Sequence, residues 1–93
     1  MYSFVYFMTN TSNTTLYIGV TSNLEKRVWE HKSCVDQNSF TYRYKCHKLV
    51  YYEVFGDIRY AIAREKQLKN WKRDWKNELV AKVNPDWVEL SIT

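Results

Sequence analysis

The strongest constraint on this chain lies in its first twenty residues, "MYSFVYFMTNTSNTTLYIGV". Two runs rich in aromatic and β-branched residues, at Tyr2–Met8 and Thr15–Val20, flank a polar cluster at Asn10–Asn13. Such runs favour strands, and the short polar stretch between them favours a reversal, so a β-hairpin is expected. With the turn centred on Thr11 and Ser12, Tyr6 lies opposite Tyr17. Opposed residues of an antiparallel pair point to one face, so the two tyrosines become neighbours. A slip of one residue would separate them.

A third strand is expected at Leu49–Phe55, "LVYYEVF", which is nearly all apolar or aromatic, as strands with helices near them are. Gly56 ends it, and Asp57 can cap the next helix. Between the hairpin and this strand a helix starts at Ser22, with Glu25 three residues later in capping-box spacing. Leu24 and Val28 supply its buried stripe, while Arg27 and His31, one turn apart, share a different face. Ser33–Lys48 has no clear period and reads as a loop with a short helical turn. Within it, "TYRYKCHK" alternates basic and aromatic residues.

The helix "IRYAIAREKQLKNW" is the most informative. Ile58, Ala61, Ile62 and Leu68 form its apolar stripe, and at ~100° per residue Glu65 falls in the middle of that stripe. Arg64 and Lys66 fall outside it. A glutamate on a buried face is either paired or doing chemistry. A third helix is expected at Lys72–Lys82, with Leu79, Val80 and Val83 on its apolar side and Pro85 as its stop. The tail "DWVELSIT" packs Trp87 and Val88 and then frays. The order β-β-α-β-α-α gives an α/β (α+β) fold: a small three-stranded, mainly antiparallel sheet flanked by helices, in one domain over residues 1–93.

The net charge of +4 suits a polyanionic partner but is common among cytosolic proteins. Aromatics make up 17% of the chain, and most of them are expected to build the core of a small domain. No apolar run approaches the roughly 20 residues of a membrane span, and the N-terminus lacks the positive region and cleavage site of a signal peptide. The two cysteines, Cys34 and Cys46, are too few for a disulfide framework and read as reduced cytosolic thiols. His31, Cys34, Cys46 and His47 could be weighed as zinc ligands, but adjacent Cys46 and His47 are poorly spaced for one tetrahedral ion.

The polar residues at site-facing positions are Tyr6, Tyr17, Arg27, His31 and Glu65. Phosphodiester hydrolysis needs such parts. A carboxylate can hold a divalent metal, an arginine can pair with the phosphate and stabilise its developing charge, and a base must activate water.

These residues resemble the motifs of the GIY-YIG nuclease superfamily. The chain looks most like the small stand-alone bacterial branch, similar to the nuclease domain of the excision-repair incision subunit. "YIG" is intact at Tyr17-Ile18-Gly19, and Phe4-Val5-Tyr6 keeps the tyrosine of the first motif with phenylalanine in place of its glycine. Arg27 and His31 in "EKRVWEHK", Glu65 in "AIAREKQLKNW" and Asn84 in "VNPDW" match the later motif positions, so the resemblance runs from Tyr2 to Trp87. It implies Mg²⁺ or Mn²⁺ held by Glu65, and one of Tyr6 and Tyr17 as general base or water-orienting group. It further implies Arg27 on the phosphate, His31 in proton transfer or holding a tyrosine or phosphate oxygen, and Asn84 positioning the site. Some members carry a lysine just after the "YIG" glycine, where this chain has Val20.

The function so implied is a divalent-metal-dependent endonuclease hydrolysing DNA phosphodiester bonds, in repair or recombination. The alternative is a nucleic-acid-binding module with weak or no catalysis, using a basic and aromatic surface that includes Arg43, Lys45, Lys72 and Arg73. Each site residue also has a plainer reading: a cross-strand pair for the tyrosines, a surface cation for Arg27, a helix C-terminal charge for His31. For Glu65 it is an ion-pair partner, and for Asn84 a helix C-cap. Larger relatives carry a separate DNA-binding domain, for which this chain has no length. Its specificity would come from DNA structure, from broad weak action or from a protein partner.

Overall fold

The computed structural model describes residues 1–33 and 39–91. Three strands form one antiparallel sheet: β1 (Ser3–Thr9), β2 (Leu16–Thr21) and β3 (Lys48–Phe55), in the spatial order β2-β1-β3. The helices are α1 (Leu24–Lys32), the short α2 (Phe40–Arg43), α3 (Ile58–Lys69) and α4 (Arg73–Val83). The expected sequence of elements holds, with α2 as the helical turn of the long connection; α3 and α4 are separate helices. Cys34 lies outside the described residues.

β1 is the middle strand, and Val5, Tyr6, Phe7, Met8 and Thr9 are wholly buried. One face of the sheet sends Val5, Phe7, Ile18, Val50 and Tyr51 against Ala61 and Leu68 of α3 and Val80 of α4. The other sends Tyr6, Met8 and Leu49 against Leu24 and Val28 of α1 and against Cys46. Alternation of side chains along a strand produces this two-sided core.

Two devices set the register. In the hairpin, Tyr6 pairs with Gly19 and Met8 with Tyr17, so the turn is centred between Ser12 and Asn13, one residue later than expected. The cause is local: Asn10 Oδ1 accepts from the N–H groups of Thr14 and Thr15, and Asn13 takes a left-handed conformation (φ 59°), which asparagine tolerates. Shifting the turn centre by one moves each partner by two, which preserves the face. Tyr6 and Tyr17 therefore remain neighbours, now diagonally. Between β1 and β3, Phe7 pairs with Tyr51 but Met8 with Leu49, so Val50 is an extra bulged residue.

The bulge explains Asn84. Its side-chain Nδ2 donates to the carbonyls of Val50 and Val88 at 2.9 Å each, and its Oδ1 accepts from Val88 N–H at 3.1 Å. Asn84 is also the C-cap of α4. One residue along β3, the Leu49 carbonyl accepts from Leu90 N–H at 2.8 Å, and Lys32 pairs with Glu89. The tail is thus tied to the sheet as far as Leu90; the expected fraying of its last two residues, 92 and 93, lies outside the described residues. Trp87 and Leu90 are its packed residues, while Val88 is exposed.

Further departures from expectation lie at helix surfaces. Asn23, not Ser22, caps α1: its side chain accepts from Lys26 N–H, and Thr21 Oγ1 accepts from Asn23 N–H. Asp57 caps α3 as expected. On α3 the buried arc is Ala61, Arg64, Glu65 and Leu68, while Ile58 and Ile62 are exposed. Arg64 belongs to this arc because its guanidinium forks onto Glu53 of β3, at 2.9 and 3.0 Å, and lies 5.1 Å from the Trp71 ring. Burial works against the Glu53 carboxylate, but Arg64 and the Tyr51 hydroxyl outweigh it and hold its pKa below its ordinary value. On α4, Val80 is buried, but Val83 is exposed.

Asn84→Ala removes the three hydrogen bonds that tie the bulged Val50 carbonyl and Val88 to the end of α4. It is expected to lower unfolding free energy by about 3 kcal/mol in urea titration.

Candidate active site

The site begins at Gly19. Its φ is negative, so conformational freedom is not what glycine provides here. A Cβ at this position would lie 2.6 Å from Tyr6 Cζ and Oη and 2.9 Å from Tyr17 Cε2. The two phenol rings converge over this glycine, and their centroids are 6.1 Å apart. The "YIG" glycine is the space into which the Tyr6 phenol fits. Gly19→Ala is expected to force the ring out and cost about 2 kcal/mol of stability, measured by thermal or urea melting.

Tyr6 is fully buried and its hydroxyl lies 2.9 Å from His31 Nε2. His31 is also buried, and its Nδ1 lies 2.8 Å from Thr41 Oγ1. The backbone carbonyl of His31 accepts from His47 Nδ1 at 2.9 Å. Burial first, then the positive charge of Arg27, pull the His31 pKa from 6.5 down to about 4. The ring is therefore neutral at physiological pH, with one N–H and one acceptor nitrogen. It is not a charged helix terminus. Burial, and then the neighbouring Tyr17 phenol, push the Tyr6 pKa well above the usual phenol value, while Arg27 pulls the other way. Tyr6 is a neutral phenol.

Tyr17 is half-buried, 5.4 Å from the His31 ring and 5.9 Å from the Phe40 ring. Phe40 continues to Tyr44 at 4.6 Å, and both are exposed. Arg27, with its side chain 40% exposed, donates to Glu30 at 3.1 Å and interacts with Tyr6 and Tyr17. Tyr6, Tyr17, Arg27 and His31 are thus together on the α1 face of the sheet.

Glu65 comes from the opposite face. Its side chain is 16% exposed, and it pairs with Lys69 at 3.4 Å. Lys69 lines a cleft of about 280 Å³ with Leu16, Tyr17, Ile18, Phe40 and Lys76, at the outer edge of β2. Through Lys69, Glu65 is linked to the cleft that Tyr17 lines. Asn84 is elsewhere, bonded to the β3 bulge and the tail.

The donor set bears on which metal the site could take. Among the described residues no three His, Cys, Asp or Glu side chains gather. A lone carboxylate suits Mg²⁺ or Mn²⁺, which keep waters and take further oxygens from a substrate phosphate, far better than a four-ligand zinc site. Of the basic surface residues, Arg43, Lys45 and Lys72 are exposed. Arg73 instead donates to the carbonyls of Asn13 and Thr14 and to Asn77, and so staples the hairpin loop to α4. Thr41 was not foreseen, because a threonine in "FTYR" carries no sequence mark of its contact with a distant histidine.

A three-stranded antiparallel sheet whose first two strands converge two tyrosines on a helix bearing arginine and histidine defines a GIY-YIG-like α+β domain. Comparisons agree. The GIY-YIG catalytic domain model matches residues 2–78. A UPF0213 protein of Syntrophus aciditrophicus is 36% identical over 84 residues, covering 90% of this chain and 94% of that relative. A UPF0213 protein of Haloquadratum walsbyi is 32% identical over 78 residues, covering 84% and 85%. The solution NMR structure of a UPF0213 protein from Bacillus halodurans shares the fold, with a TM-score of 0.59 and 23% identity over 94% of this chain and 90% of that one. The chain belongs to the GIY-YIG catalytic domain family, and membership implies nuclease-type activity. Asn84 lies beyond the residues matched by the family model.

The depressed His31 pKa has a thermodynamic consequence. The unfolded chain binds a proton at His31 near pH 6.5 and the folded chain only near 4, so acid favours unfolding. This contribution, about 3 kcal/mol, is complete above pH 6.5 and is lost as pH falls through that window. Urea titrations at pH 7 and pH 4.5 should show the loss, and His31→Gln should flatten it.

Proposed function

We propose that this chain is a divalent-metal-assisted endonuclease that hydrolyses DNA phosphodiester bonds, with its 93 residues acting as one domain. The observation that carries the reading is the buried Tyr6–His31 hydrogen bond directly behind the half-buried Tyr17 and beside Arg27. The bond satisfies a buried phenol, and it also sets a neutral imidazole, able to accept a proton, behind the half-buried Tyr17.

The exposures support different tasks for the two tyrosines. Tyr17 meets the attacking water, and Tyr6 stands behind it, passing a proton inward to His31. A neutral imidazole can accept that proton. Arg27 pairs with the scissile phosphate and offsets the charge that develops on its oxygens. Glu65 would hold Mg²⁺ or Mn²⁺, which supplies Lewis-acid polarisation of the phosphate and stabilises the leaving oxygen. Lys69 orients the Glu65 carboxylate and adds positive charge to the cleft. Lys76, whose pKa is lowered by burial and then by Arg73, lies beside it. Asn84 acts on the site only through the tail and β3.

DNA would lie over Arg43, Lys45 and Lys72, with Phe40 and Tyr44 beside the scissile position. The exposed Phe40–Tyr44 stack supports a second reading, a binding module whose aromatics stack on bases. One experiment separates the two. Linear, nicked, flap and junction DNA are incubated with the protein and Mg²⁺ or Mn²⁺, beside Glu65→Ala and Arg27→Ala. The nuclease reading expects cleavage by the wild type and a loss of about 100-fold or more in each variant. Equal cutting by all three would remove its support. Salt-sensitive binding without cleavage would favour the module.

A further inference from the structure

We infer that Thr41 and Ser39 form the outer half of a proton relay that starts at the tyrosine pair and runs through both nitrogens of His31. The inference rests on the nuclease reading and adds to it two relay residues that hold no substrate.

The geometry is a continuous chain. Tyr6 Oη lies 2.9 Å from His31 Nε2, His31 Nδ1 lies 2.8 Å from Thr41 Oγ1, and Thr41 Oγ1 lies 3.1 Å from Ser39 Oγ. Tyr6, His31 and Thr41 are buried, whereas Ser39 is part-exposed at the start of α2. Ser39 Oγ accepts from Tyr42 N–H as the helix cap, so its position is fixed while its own hydroxyl proton is used elsewhere. Each link is a group that can donate and accept at once: phenol, neutral imidazole, and two hydroxyls. A chain of such groups can run in either direction by moving one proton at each link.

The steps balance. The attacking water gives a proton to the Tyr17 oxygen as its remaining oxygen forms the new bond to phosphorus. The Tyr17 proton passes to Tyr6, the Tyr6 proton to His31 Nε2, and the His31 Nδ1 proton to Thr41. The Thr41 proton passes to Ser39, which releases its own to bulk water. Every relay group gains one proton and loses one. The bond to the leaving oxygen breaks, and the reverse movement returns a proton to it and resets the imidazole tautomer.

Passing the proton through the ring avoids a lasting imidazolium. This matters because the groups facing His31 do not favour one. Burial and then Arg27 disfavour the charge, Glu30 opposes them, and His47 adds a smaller push against it. With no outlet at Nδ1, the proton would stop on a ring that holds it poorly. Thr41 provides the outlet and also fixes the ring orientation that points Nε2 at Tyr6.

The test compares wild type with Thr41→Val, Thr41→Ser and Ser39→Ala. The first readout is ¹⁵N NMR of the His31 ring in the protein alone. In the wild type and Thr41→Ser, exchange between two tautomers draws the ring nitrogen shifts together. In Thr41→Val, Nδ1 has lost its polar partner, so the proton settles on Nε2 and the shifts move apart. The second readout is single-turnover cleavage with DNA affinity measured alongside. Thr41→Val should slow cleavage about 100-fold at unchanged affinity, Thr41→Ser should restore the rate to within about 3-fold, and Ser39→Ala should slow it about 10-fold. Folding of each variant is checked by thermal melting, and Ser39→Ala tests the relay should Thr41→Val unfold. Identical His31 shifts in wild type and Thr41→Val, or full cleavage rates in Thr41→Val or Ser39→Ala, would overturn the relay. The NMR readout needs no substrate, so a wild type that cuts no DNA removes the nuclease reading and with it the relay's role in catalysis. Unchanged shifts in an active nuclease remove the relay alone.

Discussion

A tyrosine hydroxyl at the middle of a strand buried on both sides must find a partner, and in this chain Tyr6 finds His31. Much follows from that bond. It requires α1 to lie across the hairpin so that the histidine can reach the sheet. It requires a glycine on the adjoining strand, because the phenol lies where a side chain would be. It leaves the second ring nitrogen needing its own partner, which α2 supplies through Thr41. A polar atom buried without compensation costs several times what a typical hydrogen bond contributes, so one hydroxyl on β1 constrains three other segments.

The fold was largely readable from the sequence, and the reasons are specific. Strands at the hairpin and at Leu49–Phe55 follow from aromatic and β-branched runs, and α3 follows from Asp57 and a clear helical period. The position of Glu65 on the inner arc was readable because burial on a helix repeats every three or four residues. The tyrosine pairing was right in its face and wrong in its register. The side chain just past the end of β1, Asn10, decides the turn, and propensity cannot see such a bond. The cap fell on Asn23 rather than Ser22 for a similar reason: both residues can cap, and Thr21 holds the backbone at the second.

The candidate site was less legible. Tyr17, Arg27 and His31 could be gathered because they lie within one strand-to-helix turn. Glu65 stood out as a residue out of place, but where its helix face meets the sheet depends on three-dimensional packing. Asn84 was expected in the site only from the resemblance, and its observed bonds go to the carbonyl of the bulged Val50 and to Val88. A bulge leaves almost no trace in a strand that is apolar at nearly every position, since no alternation is there to be broken. Thr41 left no trace at all.

The fork between Arg64 and Glu53 has a consequence for Glu65. Adjacent residues on a helix differ by about 100° around its axis, so fixing where Arg64 points also fixes where Glu65 points. The clamp to β3 and the Trp71 ring together set the angular roll of α3 on the sheet. The direction in which the carboxylate points is thereby tied to an ion pair on β3, and α3 works as a lever whose angle is locked by the residue next to the one it presents.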